Sequence, residues 1–234
     1  MPRQFVIGDI HGFYHHLMAL FETVSFDYRK DLLISLGDVV DHGPQPAAVI
    51  EELRKIRNFI HVMGNHDEWC YQYLKFGHAP EDWITQGGQV TIDAYKEKPE
   101  LTTTHLHFFE NSRLYYIDAK SRLFVHAGFD YKISFEKQMQ DKKILQWTRT
   151  MVGDACNYHR RGLIFPQFRE IFIGHTPTQF MGETLPVHVS NVWMLDTGIT
   201  LGGKLTMMNI ATKEYWQSGN AASVEKTDTP TAIT

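Results

Sequence analysis

A chain of 234 residues, 43% hydrophobic and 13% aromatic, carries enough apolar material for one sizeable core, and no Pro/Gly/Ser-rich stretch or charge block divides its interior. Its 23 Lys and Arg against 27 Asp and Glu leave a formal charge of -4, which offers no basic footprint to a nucleic-acid backbone. The start Met1–Ile7 lacks the apolar segment of a signal peptide, no apolar run approaches the ~18 residues of a membrane span, and Cys70 and Cys156 stand in no metal-binding or C-x-x-C spacing, so the expectation is one cytoplasmic domain over residues 1–216 with reduced thiols and with neither nucleic acid nor membrane as partner.

Phe5-Val6-Ile7 is short and apolar, as a buried strand is, and it runs into Gly8-Asp9-Ile10-His11-Gly12. Apolar residues at Phe13, Leu17, Leu20 and Phe21 then keep a 3.6-residue period that predicts a helix. The unit repeats. A strand at Leu32–Leu36 runs into Gly37-Asp38-Val39-Val40-Asp41-His42-Gly43, a helix is expected over Pro46–Ile56, and a strand at Phe59–Met63 runs into Gly64-Asn65-His66-Asp67. Residues 68–118 read as mostly helical, broken at Gly87-Gly88 and Pro99, and form a candidate cap beside the site. Strands at Leu123–Val125 and Ile171–Ile173 run into His126-Ala127-Gly128 and Gly174-His175-Thr176-Pro177. Two more are expected at Val189–Leu195 and, after the Gly202-Gly203 turn, Leu205–Ile210. Residues 217–234 are polar and rich in Thr and Ala, which predicts a disordered tail.

Five strands thus end at a Gly or His and at once deliver a polar side chain able to bind metal. A site at the carboxyl edge of a sheet needs this, because strands fix direction while the loops beyond them project side chains into a shared crevice. Asp9 and His11, two apart in a segment read as extended, point the same way and reach one ion. Asp38, Asn65, His126 and His175 hold equivalent positions after their own strands. Carboxylate, carboxamide and imidazole suit a divalent ion such as manganese, iron or zinc, and six ligands exceed what one ion needs, so two ions are expected.

Taken in order, these five motifs resemble the signature of calcineurin-like metallophosphoesterases, most closely the branch of serine/threonine protein phosphatases and symmetrical diadenosine tetraphosphatases, and the likeness runs from residue 5 to about 203. The resemblance implies a four-layer α/β/β/α sandwich of two mixed sheets. It implies that Asp9 and His11 hold one metal, that Asn65, His126 and His175 hold the other, and that Asp38 bridges both. A bridging hydroxide would attack phosphorus in line, His66 would protonate the leaving oxygen as general acid, and Asp41 would orient His66. Manganese is the first choice of metal.

The family grips substrate phosphate with two arginines, the first directly after the residue matching Asp41. This chain has His42 there, and a neutral imidazole lacks the guanidinium's charged, bidentate fork. Leu145-Gln146-Trp147-Thr148-Arg149 resembles the segment that carries the second, so Arg149 and His42, with Asn65, are the candidate substrate-binding residues; Arg160 or Arg161 could replace the missing arginine. Asp196-Thr197-Gly198 and the Trp83, Gly87-Gly88 segment also look family-like, the first as structural support and the second as part of the cap. The remaining histidines, such as His16, His61, His105 and His188, are expected to be structural. Three functions follow: hydrolysis of phosphomonoesters, phosphoserine and phosphothreonine in proteins first; cleavage of diadenosine tetraphosphate; or, because of His42, a phosphate-binding scaffold without turnover. Partners are then phosphoproteins or small phosphoesters, and oligomeric state is not legible.

Overall fold

Side chains alternate across a strand, and where both faces are apolar each must be covered. The computed structural model, which describes residues 2–219, meets that demand with two five-stranded sheets. The first contains β1 (Gln4–Ile7), β2 (Leu32–Ser35), β3 (Asn58–His61), β9 (Thr206–Asn209) and β10 (Tyr215–Gln217), in the order β10-β9-β1-β2-β3. The second contains β4 (Tyr115–Ile117), β5 (Arg122–Val125), β6 (Glu170–Ile173), β7 (Val187–Val189) and β8 (Val192–Met194), in the order β4-β5-β6-β8-β7. Both are mixed: β1, β2 and β3 run parallel, as do β5, β6 and β8, while β9 pairs antiparallel with β1, β10 with β9, β4 with β5 and β7 with β8.

Alternation sorts the core into layers. Val6, Ile34, Phe124, Phe172 and Met208 pack between the sheets, where Phe124 and Phe172 stack with centroids 4.8 Å apart. Their neighbours Phe5, Ile7 and Leu33 face the other way, onto α1 (Tyr14–Thr23) and α2 (Pro46–Leu53). On the second sheet, Leu123, Val125, Ile171 and Ile173 face α7 (Lys142–Trp147) and α8 (Thr150–Arg160) through Leu145, Met151 and Ala155. The result is helix, sheet, sheet, helix, the layering that the resemblance implied.

Residues 65–110 form α3 (Asn65–Phe76), α4 (Glu81–Trp83), α5 (Gln89–Glu97) and α6 (Thr102–Glu110). They are less a lid than part of the core, because Cys70, Trp83, Ile92, Tyr95 and Phe109 share a cluster with β1 and α1. The structure departs from the sequence reading at three places. Residues 115–117, placed in the cap, form β4. The single strand expected at Val189–Leu195 is a hairpin, β7 and β8, turned at Ser190 (φ 56°) and held by Asn191, whose amide donates to the Phe165 and Phe168 carbonyls. And β10 takes in Gln217, while Ser218 is buried and hydrogen-bonded to His16 Nδ1 (2.9 Å) and the Leu205 N–H (3.0 Å), so the ordered chain passes residue 216. The rest of the expected tail, 220–234, lies outside the described residues. No helix among the described residues is long and apolar enough to cross a membrane, and both cysteines are free thiols.

Candidate metal centre

The loops after β1, β2, β3, β5 and β6 bring Asp9, His11, Asp38, Asn65, His126 and His175 to one buried place. Asp38 is its centre. Its Oδ2 lies 3.7 Å from His11 Nε2 and 3.3 Å from His126 Nε2, and its Oδ1 accepts the His66 N–H (3.0 Å). Asn65 Oδ1 is 3.0 Å from His126 Nε2, and Asp9 Oδ2 accepts the His175 N–H (2.9 Å). The donor atoms of Asp9, His11 and Asp38 lie within 4.8 Å of one another, as do those of Asp38, His126 and His175, so two donor groups share Asp38.

Backbone carbonyls aim the imidazoles. Val40 O accepts from His11 Nδ1 (2.9 Å) and Leu36 O from His126 Nδ1 (2.7 Å), which turns each Nε2 inward. Asp9 Oδ1 and His175 Nε2 are buried with no hydrogen-bond partner among the described residues. Leaving such atoms unsatisfied costs about 1–3 kcal/mol each, and a cation is the partner that fits a carboxylate oxygen beside imidazole lone pairs.

Charge agrees with that fit. Burial drives His11 and His175 down to about 3, so both imidazoles are neutral at physiological pH, as a metal ligand must be. Burial also opposes ionisation of Asp38, yet the imidazoles of His126 and His66 outweigh it and hold the carboxyl well below the usual range. Asp9 goes the other way: burial, with Asp196 and Asp38 nearby, raises its pKa well above the usual value, a shift that a bound cation would oppose. Asp196 is itself raised to about 6, chiefly by burial, although its Oδ1 accepts the Gly198 N–H (2.9 Å).

The loops are strained where the ligands sit. Left-handed φ occurs at His11 (47°), Asp38 (50°), Asp41 (72°), His42 (59°) and His175 (63°), a backbone choice that costs on the order of 1 kcal/mol or more for such residues. Asp9 and His11 therefore do not converge by extended-chain alternation. The chain turns at His11, and the Ile10 and His11 N–H groups both donate to Asp38 O (3.0 and 2.9 Å). Below them, the buried Asp67 carboxylate accepts the N–H groups of Asp38 (2.7 Å), Val39 (2.9 Å) and Gly64 (3.0 Å) and so ties two ligand loops together. Gly64 has no room for a Cβ, which would collide with the Asp38 carboxylate.

His66 Nδ1 lies 2.7 Å from Asp41 Oδ2. The same carboxylate accepts from Trp83 Nε1 (2.6 Å) and Thr91 Oγ1 (2.6 Å), so three donors hold Asp41 in place against His66. Burial disfavours the imidazolium of His66, but Asp38 and Asp41 outweigh it and raise its pKa. Thr91 has no signal in the sequence, since a helical Thr 50 residues from Asp41 marks nothing. Trp83 and the glycine pair did. A Cβ at Gly88 would lie 2.6 Å from the Trp83 indole nitrogen and one at Gly87 2.6 Å from the His42 ring, so only glycine lets this turn settle onto both. Thr91→Val, which removes one donor at nearly constant volume, is expected to destabilise the fold by about 1–2 kcal/mol and to lower kcat about tenfold on alkyl phosphates. Denaturant melts and initial rates check both numbers.

His42 stands exposed at the rim, its ring 4.8 Å from His11 and 5.4 Å from His66. Arg149, also exposed, donates from Nη1 to the His175 carbonyl (3.3 Å). Arg160 and Arg161 stand at the far end of α8, about 16 Å along its axis from Arg149, so they do not join that arginine. Other histidines lie in structural surroundings: His61 Nε2 sits 3.2 Å from Asp67 Oδ2 without meeting hydrogen-bond geometry, His105 bonds Tyr95 (2.8 Å) and Glu51 (2.9 Å), and His188 stacks on Trp193.

Residues 2–183 match the calcineurin-like phosphoesterase family. The chain is 34% identical to a symmetrical bis(5'-nucleosyl)-tetraphosphatase of Coxiella burnetii, across 91% of this chain and 90% of that one. It is 28% identical to serine/threonine-protein phosphatase 1 of Salmonella typhimurium, across 88% and 90%. Its fold matches the crystal structure of a metallophosphoesterase from Sphaerobacter thermophilus with a TM-score of 0.59 at 17% identity, covering 96% of this chain and 92% of that one. Strand order, a ligand-rich sheet edge and these relatives agree: the chain belongs to the calcineurin-like phosphoesterases and is a metallophosphoesterase, a hydrolase of phosphoric esters.

Proposed function

We propose that this chain is a cytoplasmic phosphomonoesterase with a dinuclear centre, acting on phosphorylated side chains of proteins, serine and threonine first. The observation that carries the reading is the pair of donor groups sharing Asp38, with Asp9 Oδ1 and His175 Nε2 buried and unpartnered beside them. Asp9, His11 and Asp38 would hold one ion; Asp38, Asn65, His126 and His175 would hold the other. Bound there, two divalent ions, manganese first and iron or zinc next, supply Lewis-acid neutralisation of the phosphoryl oxygens and acidify water.

The protein's own groups do the rest. His66, its Nδ1 held by Asp41, keeps Nε2 free to give a proton to the leaving oxygen. Arg149, anchored on the His175 carbonyl, offers its remaining guanidinium N–H groups to the phosphoryl oxygens, and Asn65 and His42 line the same place. All six candidate metal ligands and the proposed acid His66 are present, which weighs against a scaffold without activity, although His42 stands in place of an arginine.

Symmetrical cleavage of diadenosine tetraphosphate is the second reading, favoured by the identity to the Coxiella burnetii enzyme. Phosphate release from a phosphoserine peptide is measured against ADP release from diadenosine tetraphosphate, both with added manganese. Release from the peptide at the higher kcat/KM is the expected result. ADP release alone would put the second reading in its place, and no turnover of either by folded, metal-loaded protein would sink both.

A further inference from the structure

The loops that carry the metal ligands follow β1, β2, β3, β5 and β6 at one edge of the sheets, so the starts of these strands lie together at the opposite edge. A cation stands within two residues before each start: Arg3 before β1, Lys30 before β2, Arg57 before β3, Lys120 before β5 and Arg169 before β6. The sheets also touch here, where Gln4 Oε1 accepts from Arg122 Nη2 (3.2 Å). The chain as a whole is acidic, at -4, yet the residues lining the two hollows at this pole include eight Lys or Arg and only three Asp or Glu.

Those three carboxylates are already occupied: Asp31 pairs with Arg3 (2.6 Å), Asp27 with Lys30 (3.2 Å) and Glu170 with Lys213 (2.6 Å). Arg29, Arg57, Lys120 and Arg169 are exposed and have no side-chain partner among the described residues. Beside them stands an apolar tip. Ser190 Oγ donates to Leu163 O (2.9 Å), the Leu163 N–H donates to Tyr158 O (2.9 Å) and the Phe165 N–H donates to Asn191 Oδ1 (2.9 Å), while Ser190 and Asn191 line the same hollow as Arg169. Phe165 and Phe168 turn into the core, whereas Leu163 and Ile164 stand out, 41% and 60% exposed, next to Arg160 and Arg161. A fixed turn that holds two bare aliphatic side chains among unpaired cations suits an anionic lipid surface, where the apolar groups reach the acyl boundary and the cations stay with the headgroups.

We propose that this pole docks the chain on an anionic bilayer, with Leu163 and Ile164 entering the boundary between headgroups and acyl chains and with Arg29, Arg57, Lys120 and Arg169 meeting lipid phosphates. An acidic protein segment would satisfy the cations but would give the two aliphatic side chains no apolar medium. The absence of a spanning helix among the described residues bears on insertion alone, and a peripheral contact needs none, which is how a membrane enters as a partner that the sequence does not predict. The metal centre, at the other edge of the sheets, then faces away from the bilayer and stays open to its substrate. The proposal does not depend on which ester that is.

Flotation at about 0.15 M salt compares vesicles of phosphatidylcholine alone with vesicles that also carry phosphatidylglycerol. The proteins are the wild type, Arg29→Glu with Arg57→Glu, and Leu163→Ser with Ile164→Ser. The wild type should float with the anionic vesicles and not with the neutral ones. A basic residue near such a surface is worth about fivefold in partitioning, so the Arg29 and Arg57 double variant should lose at least about 25-fold. The Leu163 and Ile164 double variant should lose about tenfold. Both should keep wild-type rates on p-nitrophenyl phosphate with manganese, since the changes lie at the pole opposite the metal centre. Failure of the wild type to float, equal flotation with both kinds of vesicle, or a Leu163 and Ile164 double variant that floats as the wild type does overturns the proposal; the last result, together with binding to soluble polyglutamate, would give the face to an acidic protein instead. Flotation needs no turnover and thermal melts show whether each variant is folded, so the result is decided even if the esterase reading fails.

Discussion

Asp38→Asn is expected to release the metal while leaving the fold. The side chain keeps its size and its place 3.3 Å from His126 Nε2. What disappears is the one negative charge common to both donor groups, in a site where burial and the neighbouring Asp196 and Asp38 oppose ionisation of Asp9. Elemental analysis should find about two divalent ions per wild-type chain and well under one in the variant. Melting should follow: saturating manganese at 100 times its Kd adds about 2.7 kcal/mol to the wild type and little to the variant, while the two metal-free proteins melt at similar temperatures. Activity should fall about 10³-fold, because several kcal/mol of transition-state charge stabilisation goes with the ions. A variant that keeps two ions and wild-type rates would show that Asp38 is not the shared ligand.

His66→Asn is expected to have an effect that depends on the leaving group. A positioned general acid contributes about 10²–10⁴-fold when the departing oxygen needs a proton, so loss on a phosphoserine peptide should reach at least about 10²-fold. p-Nitrophenolate leaves without help, and the loss on its ester should stay below about tenfold. The pH profile has a definite sign. The acid works when protonated, and Asp38 and Asp41 raise its pKa against the opposing effect of burial, so wild-type rates on alkyl esters fall as pH rises through the raised value. In the variant that alkaline limb disappears. Equal losses on both esters, with the limb retained, would remove His66 from the proton-donor role and leave it as a site-shaping residue.

Both results turn on backbone that the sheets alone would not produce. Five residues of the ligand and acid loops sit at left-handed φ, and each is held there by bonds from another loop: Asp38 O accepts two N–H groups from the turn after β1, and Asp67 accepts three from the loops after β2 and β3. The strain is local, and the network that opposes it is shared, which is how sparsely populated backbone persists at a functional site.

The motifs and their order could be read from the chain because strand periodicity and the residue that follows a strand are local properties. Short apolar runs ending in Gly-Asp, Gly-Asn, His-Ala-Gly or Gly-His placed Asp9, Asp38, Asn65, His126 and His175 at strand ends, and period-2 burial of Phe5, Val6 and Ile7 is enough to require cover on two faces. The half-exposed three-residue strands β4 and β10 and the turn inside Val187–Met194 escaped, since pairing partners, not their own patterns, decide them. Only the tertiary structure decided that His11 reaches Asp38 through a turn, that Thr91 and Trp83 hold Asp41 in place, and that Trp69 meets Trp147 across two helices. Those contacts join residues tens of positions apart, and a hydrogen bond or a ring contact at that separation leaves no period in the sequence to find.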